Sequence, residues 1–365
     1  MKLSKNKRSV LLVICFLLLA VIIGILLLMG KTVNKKEKIG IIITGSIDEG
    51  GWNGMHYTGA SEACRELGAE LLVKENIKEF CGDCGPAAED LVSKGCKMII
   101  LTSFGYLEEI QDIIQKYPDV SFYGNDFNYH ADNITSFFAR MYQARYLAGI
   151  AAGMQTKTGN IGYVAAMPTS EVNRGINAFT LGVRRVNPEA TVTVAWSDSW
   201  DNEEEERRLA DALIEETGAD VLTYHQNRAY TVEEAEKYGV YSIGYHQSPE
   251  QHSDKYLGAV TCDWKLTYEA IIRQYLQGKS SDIKIYWVGI DENAVRLSDL
   301  SPLVSEEVKA EITKAQDEIL SGQDVFSGVI YDNEGNLRCK ENQTIRDEII
   351  LEHFDWYVEG VNFYD

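Results

Sequence analysis

Beyond Lys38 the chain alternates short apolar runs with longer stretches whose apolar residues recur at helical spacing. Ile39–Thr44 is a β-branched apolar run, the composition that a strand buried on both faces needs. Asn53–Leu67 takes helical spacing and stops at Gly68. Ala69–Val73, Lys97–Thr102 and Val120–Gly124 predict three more strands. Helices are predicted at Pro86–Lys94 and at Tyr106–Lys116, the second ending before Tyr117-Pro118. A second series follows Asn133–Phe138. Helices at Arg140–Thr156, Glu171–Val186, Glu203–Thr217 and Thr231–Tyr238 alternate with strands at Asn160–Ala165, Thr191–Trp196, Asp220–Tyr224 and Val240–Tyr245. A later run, Leu257–Thr261, leads to Asp263-Trp264, and Tyr331–Asn336 reads as a hairpin turn.

Two such series predict an α/β protein with two doubly wound parallel sheets. Ligands of these sheets lie beyond the carboxyl ends of the strands. That singles out the loops after Thr44, Thr102, Gly124, Ala165, Trp196, Tyr224 and Tyr245. No low-complexity linker separates the series, so the lobes are expected to be joined by crossing strands.

The first residues are of another kind. Lys2, Lys5, Lys7 and Arg8 precede an uncharged apolar run from Val10 to Met29. Twenty residues in a helix span about 30 Å, the thickness of a bilayer core. No small-residue cut site follows at Leu28-Met29-Gly30-Lys31, and Cys15 has no small residue before it. The run is read as an uncleaved membrane anchor, with the long remainder outside the cytoplasm.

Seven of the 35 basic side chains and none of the 55 acidic ones fall in residues 1–36, so the remainder is strongly acidic. That excludes a nucleic-acid partner, which needs a basic footprint. Six cysteines lie outside the apolar run: Cys64, Cys81, Cys84, Cys96, Cys262 and Cys339. The even count suits disulfides or free thiols. Cys81-x-x-Cys84 with Cys96 resembles part of a zinc site, but no fourth ligand has matching spacing.

The predicted strand ends are rich in aromatic and amide side chains. The first reads Gly45-Ser46-Ile47-Asp48-Glu49-Gly50-Gly51-Trp52-Asn53, Gly-rich but without either phosphate-loop spacing. An indole in a polar loop makes a platform for a flat ring. Phe104 and Asp126 follow at later ends of the first series. Trp200, His225, Gln226, Tyr245 and His246 occupy ends of the second, and Asp263 and Trp264 come after the last run. Aromatics grip a ring, while Asp, Asn, Gln and His read its polar edge.

Ile39–Asn53, Thr102–Tyr106, Gly159–Ala166, Arg174-Gly175-Ile176-Asn177-Ala178-Phe179, Ser197–Asn202, Tyr241–His246 and the tail Asp355–Val361 resemble the basic membrane protein family, the purine-nucleoside receptors of ABC importers. The similarity runs from about Lys38 to Val361. It implies a type I periplasmic-binding fold with a ligand cleft between two lobes. Residues 37–138 plus 263–285 would form the N-terminal lobe and 139–262 plus 286–365 the C-terminal lobe, preceded by the anchor in residues 1–36. It also implies a base stacked between Trp52 and Trp200, where the family has phenylalanines, with Asp48 and Asn53 as first-loop polar contacts. An acidic residue that would hold ribose hydroxyls is replaced by Tyr245-His246, and a lysine expected near Asp263 is absent.

The expected function is therefore an extracytoplasmic solute-binding receptor of an ABC importer, taking a purine base or nucleoside by stacking and lobe closure. Its partners would be the permease and ATPase subunits, and it needs no cofactor. A ligand-sensing ectodomain working with a separate signalling protein is the alternative. Catalysis is not expected, since no Gly-x-Ser-x-Gly, His-Glu-x-x-His or paired-carboxylate motif occurs.

Overall fold

The computed structural model describes residues 36–125, 129–246, 252–279 and 284–364. The apolar run Val10–Met29 and Asp126 lie outside the described residues, and among these no helix is long and apolar enough to cross a membrane.

The strands are β1 (Lys38–Ile42), β2 (Glu70–Lys74), β3 (Met98–Leu101), β4 (Ser121–Gly124), β5 (Ile134–Ala139), β6 (Asn160–Ala165), β7 (Thr191–Trp196) and β8 (Val221–His225). Then follow β9 (Tyr241–Tyr245), β10 (Tyr256–Cys262), β11 (Ile285–Val288), β12 (Val295–Leu297), β13 (Ile330–Tyr331), β14 (Leu337–Cys339) and β15 (Val361–Phe363). One sheet has the order β11-β5-β4-β3-β1-β2, and all its pairings are parallel. The other has the order β12-β10-β9-β8-β6-β7-β15, with only β12 antiparallel. Continuous burial explains the continuous apolar runs: every residue of β3 and β5 is buried.

The chain leaves the first sheet after β5, returns for β11 and leaves again for β12. β11 lies parallel to β5, and Arg140 N–H donates to Val288 O at 2.6 Å where the two strands leave side by side. Helices start and stop on ordinary chemistry. Gly68 closes Trp52–Leu67 at φ 72°, and the Asn202 side chain accepts from Glu205 N ahead of four glutamates in the first turn of Glu203–Glu215. The helices Met141–Gln155 and Ser170–Val186 pack almost backbone to backbone. A Cβ on Gly149 or Gly182 would fall 2.0 Å from a carbonyl oxygen of the other helix.

The predicted helix over Tyr106–Lys116 is broken at Ile110, whose φ of −113° is outside the helical range. Three helices unmarked in the sequence reading also appear, Trp264–Leu276, Glu306–Leu320 and the short Asp347–Glu352. The six cysteines are free thiols, all buried except Cys81.

Candidate ligand-binding cleft

Both sheets repeat one order, β2-β1-β3-β4-β5 and β7-β6-β8-β9-β10, so each has a switch point, between β1 and β3 and between β6 and β8. Helices leave opposite faces on either side of such a point and open a crevice at the carboxyl ends. A cavity of about 420 Å³ lies there. Loops after β1 to β4 supply one part of its lining, and loops after β6 to β9 the other.

Trp52, Asn53, Phe104, Trp200, His225, Gln226, Tyr245 and His246 all line this cavity. Their situations differ. Trp52 is not the exposed indole expected of the first loop. It opens its helix, is 9% exposed, and its Nε1–H donates to Thr102 O at 2.9 Å. His56, His246, Trp264 and Phe138 surround it at ring-centroid distances of 4.1, 5.1, 5.5 and 6.1 Å. Asn53 is buried and fully committed. Its Oδ1 accepts from Thr44 N–H at 2.9 Å and Thr44 Oγ1 at 3.0 Å, and its Nδ2 donates to Glu49 Oε1 at 2.6 Å. Asn53 thus braces the loop. Trp200 and Phe104 are half-buried.

Asp48, Asp263 and Trp264 do not line the cavity. Asp48 is exposed, with its N–H on Ser46 Oγ, and its neighbour Glu49 faces the cleft instead. Asp263 caps the helix Trp264–Leu276 by accepting from Lys265 N–H at 3.1 Å. Trp264 is 2% exposed and packs behind Trp52, so its sequence position beside a polar cap hid a core residue.

The β8 and β9 ends bring their rings together, tilted against one another. His225 lies 4.3 Å from Tyr245, which lies 3.7 Å from His246, and the Arg145 guanidinium sits 3.9 Å from the Tyr245 ring. Arg145 is fully buried and is held by Thr223 Oγ1 and Tyr224 O. Burial, with the Arg145 and Arg174 charges, pushes His225 well below its usual range. Burial and then His225 do the same for His246. Glu171 Oε1 is 3.4 Å from His225 Nε2, but burial raises that carboxyl against the pull of Arg174 and Arg145. The shifts favour a neutral pair over an ion pair.

Sequence reasoning missed Glu49, Lys78, Glu79, Phe80 and Glu171 as lining residues. Backbone strain would not have been visible either. Among the described residues six non-glycines have positive φ, and three of them, Phe80 (57°), Asp198 (53°) and His246 (70°), line the cleft. Strained conformations collect at functional sites because the surrounding structure must overdetermine them.

Residues 36–326 match the family described as ABC transporter substrate-binding protein, PnrA-like (Bmp). The chain belongs to this family. The family is one of solute-binding proteins, not of enzymes, and its members work outside the cytoplasm with an ABC transporter. A purine-binding protein of Brucella abortus is 30% identical over 95% of this Bmp-family chain and 99% of its own. A putative ABC transporter glucose-binding protein of Haloferax volcanii is 31% identical over 91% of this chain and 81% of its own. Among solved structures, a transcriptional activator of the comK gene from Bacillus halodurans superposes with a TM-score of 0.68 at 20% identity, covering 79% of this chain and 99% of its own, a likeness of fold.

Proposed function

We propose that the protein captures a purine base or nucleoside in this cleft and delivers it to an ABC permease and its ATPase. One observation carries the reading: lining side chains present buried polar atoms that have no partner among the described residues. Trp200 Nε1 is a donor, Asn125 Oδ1 and Gln226 Oε1 are acceptors, and Tyr245 OH and His246 Nδ1 can serve as either. Each such group left unpaired costs about 1–3 kcal/mol. A purine edge offers donors and acceptors together, and its faces suit Trp200 and Phe104. Glu49, Glu79, Asp198 and Asp201 line the cavity against Lys78, which disfavours phosphorylated ligands. The Brucella relative carries a purine in its name, and the Haloferax relative's glucose supplies the comparison compound.

Thermal unfolding of residues 36–365 with purines, nucleosides, sugars and amino acids tests this. A ligand at 100 times its Kd stabilises by about 2.7 kcal/mol. A shift with a sugar or an amino acid and none with any purine compound refutes the purine. We also infer that Val10–Met29 stays as an uncleaved single-pass anchor. Intact-mass measurement showing a new N-terminus after residue 20, or a diacylglyceryl group on Cys15, overturns that.

A further inference from the structure

The loop between β2 and the helix Cys84–Ser93 contributes Lys78, Glu79 and Phe80 to the cleft. Phe80 is 63% exposed, more than any other large apolar side chain among the described residues. Its φ of 57° is one that a bulky side chain adopts against its preference. An isolated exposed ring needs no explanation. A ring whose strained backbone is anchored from several sides does.

The anchors are specific. Glu109 takes the Phe80 N–H at 2.9 Å on one carboxylate oxygen and the Cys84 N–H at 3.1 Å on the other. Glu79 Oε1 accepts from Ser103 Oγ at 2.5 Å and Gly105 N–H at 2.6 Å, tying the loop to the β3 end. The Tyr106 hydroxyl donates to Ile77 O, and Asn76 N–H donates to Gly45 O at 2.9 Å. The ring then lies over Gly105, where a Cβ would fall 2.5 Å from Phe80 Cζ. Gly105 has an ordinary φ of −76°, so what matters there is room, not backbone freedom.

We propose that Phe80 is a ligand-contacting, specificity-determining residue: a fixed aromatic surface at the cleft that stacks on the bound ring. This rests on the reading of the cleft as a site for a ring-shaped solute, but not on that ring being a purine.

The test is titration calorimetry on the full-length protein in detergent, with adenosine and D-glucose as probes. Phe80→Asn removes the ring while keeping a residue that tolerates positive φ. Affinity should fall roughly 5- to 150-fold, the range of one lost stack, and the empty protein should melt no lower than wild type. Gly105→Ala, which displaces the ring without altering it, should weaken binding as well, and Phe80→Tyr should restore it. Wild type taking glucose and not adenosine, with Phe80→Asn still weakened, refutes the nucleoside and supports Phe80. Unchanged affinity in Phe80→Asn for whichever probe the wild type binds overturns the proposal. So does weakening that comes with a lower melting temperature of the empty protein, which marks a structural role.

Discussion

Trp52 follows the first strand of its series, β1, and Trp200 the second strand of its own, β7, and in the sequence both look like indoles held out at a strand end. The structure separates them. Trp52 is hydrogen-bonded to Thr102 O and enclosed by His56, His246, Trp264 and Phe138, so the cleft meets only what remains of its surface. Trp200 is half-buried, and its Nε1–H has no partner among the described residues. One tryptophan is a supporting wall and the other a surface held ready, and the difference lies in what stands behind each ring.

The largest effect should come from Trp52→Ala. Removing a buried indole leaves a void, and such changes cost about 3–5 kcal/mol of stability. Chemical denaturation of the empty protein should show this, and a loss under ~1 kcal/mol would make the two tryptophans equivalent after all. Trp200→Ala should show the reverse pattern. Binding should weaken by about 1–3 kcal/mol in calorimetry, while the denaturation midpoint of the empty protein barely moves. A Trp200→Ala protein that binds normally removes Trp200 from the site.

Acid should act on the Trp52 side. His56 is depressed by burial first and by His246 second. Unfolded histidine titrates near 6.5, so below that pH the unfolded chain binds more protons and the folded state loses stability as pH falls towards the depressed value. Glu171 and Glu206 act oppositely, since burial raises both, Glu206 to about 8. The clean measurement is therefore a difference. His56→Asn should flatten the loss between pH 7 and 5.5 by up to about 1.4 kcal/mol per pH unit relative to wild type. Parallel pH profiles would show that His56 does not carry it. The smallest effect is a calibration: Asn202→Ala removes a helix cap just beyond Trp200, costs about 1 kcal/mol of stability and should leave affinity unchanged. If affinity falls too, stability loss alone weakens binding and the Trp200 result loses its meaning.

The architecture was legible because buried parallel strands must be apolar throughout. β6 and β7 have the bounds that their runs predicted, and the other first- and second-series strands moved by a residue or two. The strand-end rule then found the cleft. It did not find which face each side chain shows. Asp48 and Glu49 are adjacent acids in one loop, and only the fold decides that Glu49 turns inward. Trp264 follows a polar cap and reads as exposed, yet the approach of its helix to Trp52–Leu67 buries it. The strand ends singled out in the sequence do not include the loop after Val73, which carries Phe80. The left-handed conformations of Asn76, Phe80 and Gly82 shape that loop and leave little trace in sequence.

The return of the chain for β11 has a kinetic consequence. β5 ends at Ala139 and its neighbour β11 begins at Ile285, so that pairing must close a loop of roughly 145 residues, an entropic cost on the order of 4 kcal/mol. β15 waits longer still for β7. During synthesis the first series therefore emerges as five strands with β5 as an open edge, and it keeps that edge until most of the second series has followed. Long-range parallel pairing of this kind is slow and exposes strand edges to other chains. The pairings that complete both sheets therefore wait for the last third of the chain, far in sequence from most of the loops that line the cleft.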